Sequence, residues 1–237
     1  MSESFLFRPQ LMKQTCMAAA FAVSTLAASA FSLGDLSNQD ASAGVKAALD
    51  KGSELAVAKL GVENGFMNND KVKIKLPAIL EQARPLLKMT GKGQQLDDLV
   101  LAMNRAAESA VPMAKPLLLN AVKSMTLTDA KNILTGGDTS VTDFFKAKTS
   151  AQLAVKFQPV VKGVTDKVGL SAQYNGVMGQ VQKFGAVPEQ EATVEAYVTQ
   201  KALDGLYLMI ADEEKAIRQN PLESGSKVIG KVFGLLK

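Results

Sequence analysis

The 237-residue sequence has no histidine, no tryptophan and a single cysteine. Without imidazole, no Ser-His-Asp triad, no Cys-His pair and no histidine-ligated metal can be assembled. Aromatic residues make up only 5% of the chain, which is thin for the core of a β-sandwich. Alanine, leucine, lysine and valine abound instead, the profile of a helical protein. A formal net charge of +4 is mild. Nucleic-acid binding calls for clustered lysine and arginine with stacking aromatics, so the composition gives no case for nucleic acid as a partner and none is expected.

The first segment reads as an address. Arg8 and Lys13 give a positive start, Thr15 to Ala30 carries no charge, and Ala28-Ser29-Ala30 has the small-x-small form of a signal-peptidase site. We expect cleavage after Ala30 and a periplasmic mature chain. The apolar run is shorter than the about 17–25 residues a spanning helix needs. Starting translation at Met12 would give a more compact signal, so the true start is open between Met1 and Met12. Cleavage would remove Cys16, Glu3, Arg8 and Lys13, leaving a mature chain with neither cysteine nor histidine and a net charge of +3. Such a chain folds in an oxidising compartment without disulfides.

Residues 31–40 read as a flexible leader, 41–220 as one helical domain, and 221–237 as a basic amphipathic C-terminal helix. A helical pattern starts at Ala41 and stops at Gly61. Gly61–Asp70 is turn chemistry. In Lys71-Val-Lys-Ile-Lys-Leu-Pro77, Val72, Ile74 and Leu76 alternate with three lysines, which predicts a short extended arm with one buried face. Pro77 is placed at the first position of a helix running to about Thr90, with Pro85 either kinking or dividing it. Gln94–Val111 is the cleanest helix of the middle. Pro112 and Pro116 bracket a corner before a helix over Leu117–Met125. Thr128-Asp129 is read as the cap of Ala130–Leu134, and Asp138 or Ser140 as the cap of a helix carrying Phe144-Phe145. Separate helices are expected from Ser150 and over Ser171–Phe184, and the strongest stretch is Ala192–Arg218. The fold class is therefore all-α: a single multi-helix domain of about eight to ten helices with one short extended arm.

The informative positions are polar groups on packing faces. Along Ala192–Arg218, at about 100° per residue, Glu213 falls on the stripe of Ala202, Leu206, Met209, Ile210 and Ile217. A buried carboxylate has to be paired, protonated or open to a cavity. The two readings are an ion pair, with Arg105 or Lys115 as partner, and a ligand-pocket carboxylate. On Gln94–Val111, Asn104 and Glu108 stack along one line, and Arg105 can reach Glu108 three positions on. This row is either a polar clamp between helices or a head-group site. Asp204 is a further polar candidate. Glu108 and Glu213 lack the Glu-x-x-His companions of a di-metal bundle, and no metal or cofactor is expected. In the tail, Phe233 and Leu236 share the apolar face, with Lys227 and Lys231 beside it. That face either docks on the protein body or makes peripheral membrane contact.

Several stretches together carry a resemblance. They are Gly65-Phe-Met-Asn-Asn-Asp70 with Val72–Pro77, Met103–Pro112 with Ala114-Lys-Pro116, Ile133-Leu-Thr-Gly-Gly-Asp138, Val164–Gly169, Lys201–Leu206 and Ile210–Arg218. In this order they resemble the bacterial family called domain of unknown function 4197. The resemblance spans about Leu33 to the end of the chain. It implies an exported, mainly helical protein of Gram-negative bacteria and carries over no activity. Two functions are then expected in competition. One is a non-catalytic periplasmic binding or interaction protein holding a small apolar ligand, a lipid or an unknown protein. The other is a hydrolase or lyase using Glu213 and Glu108 as acid and base, which requires both carboxyls to open onto one pocket.

Overall fold

The computed structural model describes residues 38–137, 139–182 and 192–234. The signal and leader segments up to residue 37, Asp138 and Leu236 lie outside them. The described residues form nine α-helices and no strand: α1 (Asn38–Leu60), α2 (Ala78–Met89), α3 (Gly93–Ala110), α4 (Lys115–Lys123), α5 (Leu127–Thr135), α6 (Ser140–Thr165), α7 (Gly169–Gln182), α8 (Val194–Gln219) and α9 (Lys227–Gly234). One 3-10 turn over Val111–Ala114 makes the proline corner between α3 and α4. All belong to one body, and none of these helices is long and apolar enough to cross a membrane. The all-α single domain is as expected.

α8 is the central element. It packs on α6, α1 and α3, and Ala202, Leu206, Met209, Ile210 and Ile217 are all buried along it. α3 turns Leu96, Leu99, Met103, Ala107 and Ala110 into the same core, as its 3.6-residue period dictates. α1 lies across α8 and receives α9. Gly44 makes that contact possible. A methyl group there would stand 2.3 Å from a Val232 side-chain carbon, closer than any packed pair, so glycine leaves a notch for α9. Ile229, Val232 and Phe233 are buried, and Lys231 reaches Asp40 at 3.3 Å. Ile229, Val232 and Phe233 of α9 are thus docked on the protein body; Phe233 has no surface left for a bilayer. Lys227 stays exposed.

Local readings are corrected at several boundaries. α1 begins at Asn38, before the expected Ala41. Pro77 is the N-cap of α2 rather than its first residue, and Pro85 does not divide the helix. The cap of α5 is Thr126, whose hydroxyl accepts from Asp129 N–H in a reciprocal capping box, in place of Thr128. The two helices expected around Ser150 are one, α6. Thr149-Ser150 resembles a cap in sequence, but Thr149 Oγ1 donates back to the Phe145 carbonyl at 2.7 Å, satisfying the hydroxyl within a continuing helix. The arm follows a turn at Lys71-Val72 and runs from Lys73 to Pro77 in neither helix nor strand; Val72, Ile74 and Leu76 are buried, Lys71 and Lys75 are exposed, and Lys73 is half-buried.

The notch predicts a specific coupling. Gly44→Ala should destabilise the chain by about 1–2 kcal/mol through overpacking, despite alanine's better helix propensity. In urea titrations, Val232→Ala should recover about 1 kcal/mol of that loss in the double variant. Additive effects would mean that α9 is not seated against Gly44.

Candidate functional site: a clamped arm beside a basic cleft

The loop and arm from Glu63 to Pro77 cross α3 and α8 without a neighbouring strand. Their backbone polar groups therefore need other partners. Asn104 Oδ1 accepts from the Ile74 N–H at 2.9 Å, and Asn104 Nδ2 donates to the Ile74 carbonyl at 2.8 Å. The carboxamide thus imitates one rung of a β-ladder. The same Nδ2 also donates to the Val100 carbonyl at 2.8 Å, which fixes its orientation. Four residues on, Glu108 Oε1 accepts from the N–H groups of Phe66 and Met67 at 3.0 and 3.1 Å. Its Oε2 takes a 2.6 Å bond from Arg105, which also reaches Glu63 at 3.1 Å and Asn64 at 3.0 Å. Asn64 is the one described non-glycine residue at positive φ, 69°, a conformation asparagine tolerates better than most.

Asn104, Arg105 and Glu108 are therefore brought together as a polar clamp, and what they hold is the loop and arm rather than another helix. Fully hydrogen-bonded, the buried Glu108 carboxylate offsets its own desolvation. α8 supports the arm from the other side. Tyr197 hydroxyl donates to the Lys75 carbonyl at 3.1 Å, and Lys71 pairs with Asp212 at 2.5 Å. Gly205 allows the close approach: a methyl there would lie 2.8 Å from the Phe66 ring.

Glu213, next to Asp212 on α8, is buried and pairs with Lys59. The ion pair expected from the sequence is present, with Lys59 as partner in place of Arg105 or Lys115. Arg105 serves Glu108, and Lys115 pairs with Glu54 at 2.8 Å. The adjacent Glu214 is buried too and pairs with Arg218, which in turn donates to the Ile133 carbonyl and stacks on Phe233. Glu108 borders a shallow cavity with Arg105, Glu63 and Pro112, and Glu213 is not among its walls. Each carboxylate is held by a cation, so the geometry does not favour an acid–base pair. Asp204 is exposed, accepts from Gln200 at 3.0 Å, and stands apart from the clamp. Among the described residues no group of three acidic side chains could hold a metal ion.

A cavity lies beside the clamped arm. It is an open cleft of about 970 Å³ between the arm, α2, α3 and α8. Met67, Leu76, Val100 and Tyr197 supply apolar wall, and Lys73, Lys75, Arg84 and Lys201 supply cations. Arg84 is held by Glu81 through two 2.9 Å bonds and by Asp97 at 3.6 Å. The hydrogen-bonded Arg84 holds the Glu81 carboxyl below its ordinary range, with Lys75 and Lys88 contributing. Sequence reasoning identified the lysines of the arm as its outer face but missed Tyr197, Lys201 and Arg84, which look like ordinary helix-surface residues. It also missed Glu195, a buried carboxylate held by Asn175 at 2.9 Å and Thr165 at 3.2 Å. The only signal for the cleft was the four-residue spacing of Tyr197 and Lys201 on α8.

The fold and site define a class: a helical body that carries a clamped arm and a single-sided cleft. More particularly, the chain belongs to the family described as protein of unknown function (DUF4197), whose model matches residues 35–234. No curated protein and no solved structure matches the chain.

The clamp makes a stability prediction. Asn104→Ala leaves both polar groups of Ile74 without partners and should cost about 2–3 kcal/mol, read as a lower urea midpoint at unchanged slope. A loss under about 0.5 kcal/mol would show that water replaces the carboxamide and that no clamp operates.

Proposed function

We propose that this chain is an exported, non-catalytic binding protein, and that the cleft beside the arm holds a small ligand with an apolar body. The observation that carries this reading is the 970 Å³ cleft with Met67, Leu76, Val100 and Tyr197 in its walls. Its size falls in the range of small-molecule sites, which combine apolar walls with a few placed polar groups. The absence of histidine, and of cysteine beyond Cys16, supports a binding role over a catalytic one. So does the pairing of Glu108 and Glu213 with cations. Export rests on the charge-free segment from Thr15 to Ala30 and its small-residue close. The periplasm is then the compartment in which the ligand is met.

The test uses the mature chain beginning at residue 31 and N-phenyl-1-naphthylamine, a neutral apolar dye that brightens in dry sites. The dye should bind with one-to-one stoichiometry. Val100→Trp, which fills the cleft from the half-buried face of α3, should weaken binding by about tenfold or more at an unchanged melting temperature. Equal binding by both proteins, or none by either, would overturn the reading.

A further inference from the structure

Charge around the cleft is unbalanced in a way that its apolar walls do not explain. Two acids line it, Glu81 and Asp97, and both are engaged by Arg84. Lys73, Lys75 and Lys201 line the same cleft, and none of the three closes an ion pair with another described residue. Lys201 is exposed, and its Nζ stands 5.6 Å from the centre of the Tyr197 ring, over an aromatic side chain that forms part of the cleft wall. A smaller cavity of about 310 Å³ adjoins the first and shares Lys73, Lys75, Tyr197 and Lys201 with it. The three lysines therefore border both cavities. The one acid in the smaller cavity, Asp204, bonds Gln200.

The backbone fixes this placement. Alternate residues of an extended segment face the same way. With Ile74 held inward by Asn104, Lys73 and Lys75 are left bordering the cleft, Lys73 half-buried and Lys75 exposed. Like charges gathered beside an apolar wall repel one another, and a neutral ligand would leave that repulsion in place. An anion among them removes it and gains charge-assisted hydrogen bonds.

We propose that Lys73, Lys75 and Lys201 form the head-group site of the cleft, and that its ligand is a single-chain amphiphile ending in a carboxylate or phosphate. This rests on the binding reading above and adds the chemical class. The apolar chain lies along Leu76 and Val100, and the anionic end meets the three lysines.

The test displaces the dye from the mature chain with four probes: dodecanoate, dodecyl phosphate, dodecan-1-ol and inorganic phosphate. The two anionic amphiphiles should bind about tenfold or more tighter than dodecanol. The preference should shrink in 0.5 M sodium chloride, where screening is strong, and dodecanol binding should not weaken. The triple variant Lys73→Gln, Lys75→Gln, Lys201→Gln should lose the preference and keep dodecanol affinity, which shows at once that it is folded. Equal binding of dodecanol and dodecanoate would overturn the head-group site while leaving the cleft as a binding site. A preference that survives both salt and the triple variant would place the anion elsewhere. Inorganic phosphate binding as tightly as dodecyl phosphate would overturn the amphiphile class. If no amphiphile displaces dye that does bind, the proposal fails; if the dye itself does not bind, the underlying reading fails first.

Discussion

A buried peptide N–H or C=O must find a partner, and an extended segment laid on helices has no adjacent strand to supply one. In this chain the partners come from one turn of α3. Asn104 takes both polar groups of Ile74, and Glu108 takes the amides of Phe66 and Met67. Helical geometry makes this work, because positions four apart stand above one another on the same face. Two side chains on a rigid helix therefore read two points of the arm and its loop. Arg105 neutralises Glu108 and ties down the left-handed turn at Asn64. Isolated, the arm would carry the entropy of a free loop; clamped, it becomes part of the core.

The rest of the surface follows from that constraint. Once Ile74 is held inward, Phe66 and Val72 pack into the notch at Gly205, and Lys73 and Lys75 border the cleft. The arm then forms one wall of a cleft whose other walls are α2, α3 and α8. α2 contributes little to the core, burying Leu80 and leaving Ile79, Leu86 and Met89 exposed. At the opposite side, the α9 contact obeys similar logic: a glycine, Gly44, is cut away so that a helix can seat.

How much of this was readable depends on the range of each interaction. The α3 row was legible because its signal is local: Asn104, Arg105 and Glu108 are within one helical turn or so of each other. Its partners were not, because Phe66 and Ile74 lie tens of residues away and a polar row on a helix carries no address. Glu213 stood out because it interrupts an apolar stripe. Lys59 did not, since its side chain is 56% exposed and its sequence context is that of any solvated lysine. The alternation at Lys71–Pro77 gave the arm and its buried face directly. The cleft needed α8 to be placed beside the arm, and nothing in Tyr197 or Lys201 alone announces that. The division of α6 was misread because Thr149-Ser150 offers cap chemistry that the continuing helix satisfies by back-bonding.

The central claim is that side chains of α3, standing in for a strand, hold the arm in place. Amide hydrogen exchange resolved by residue tests it most directly. In the wild-type chain the amides of Phe66, Met67 and Ile74 should exchange slowly, and in Asn104→Ala the Ile74 amide should open at least about a hundredfold faster, while the amides of central α8 residues such as Leu206 change only with global stability. Fast exchange at Ile74 in the wild-type chain, or an acceleration spread evenly over α8 and the arm, would contradict it.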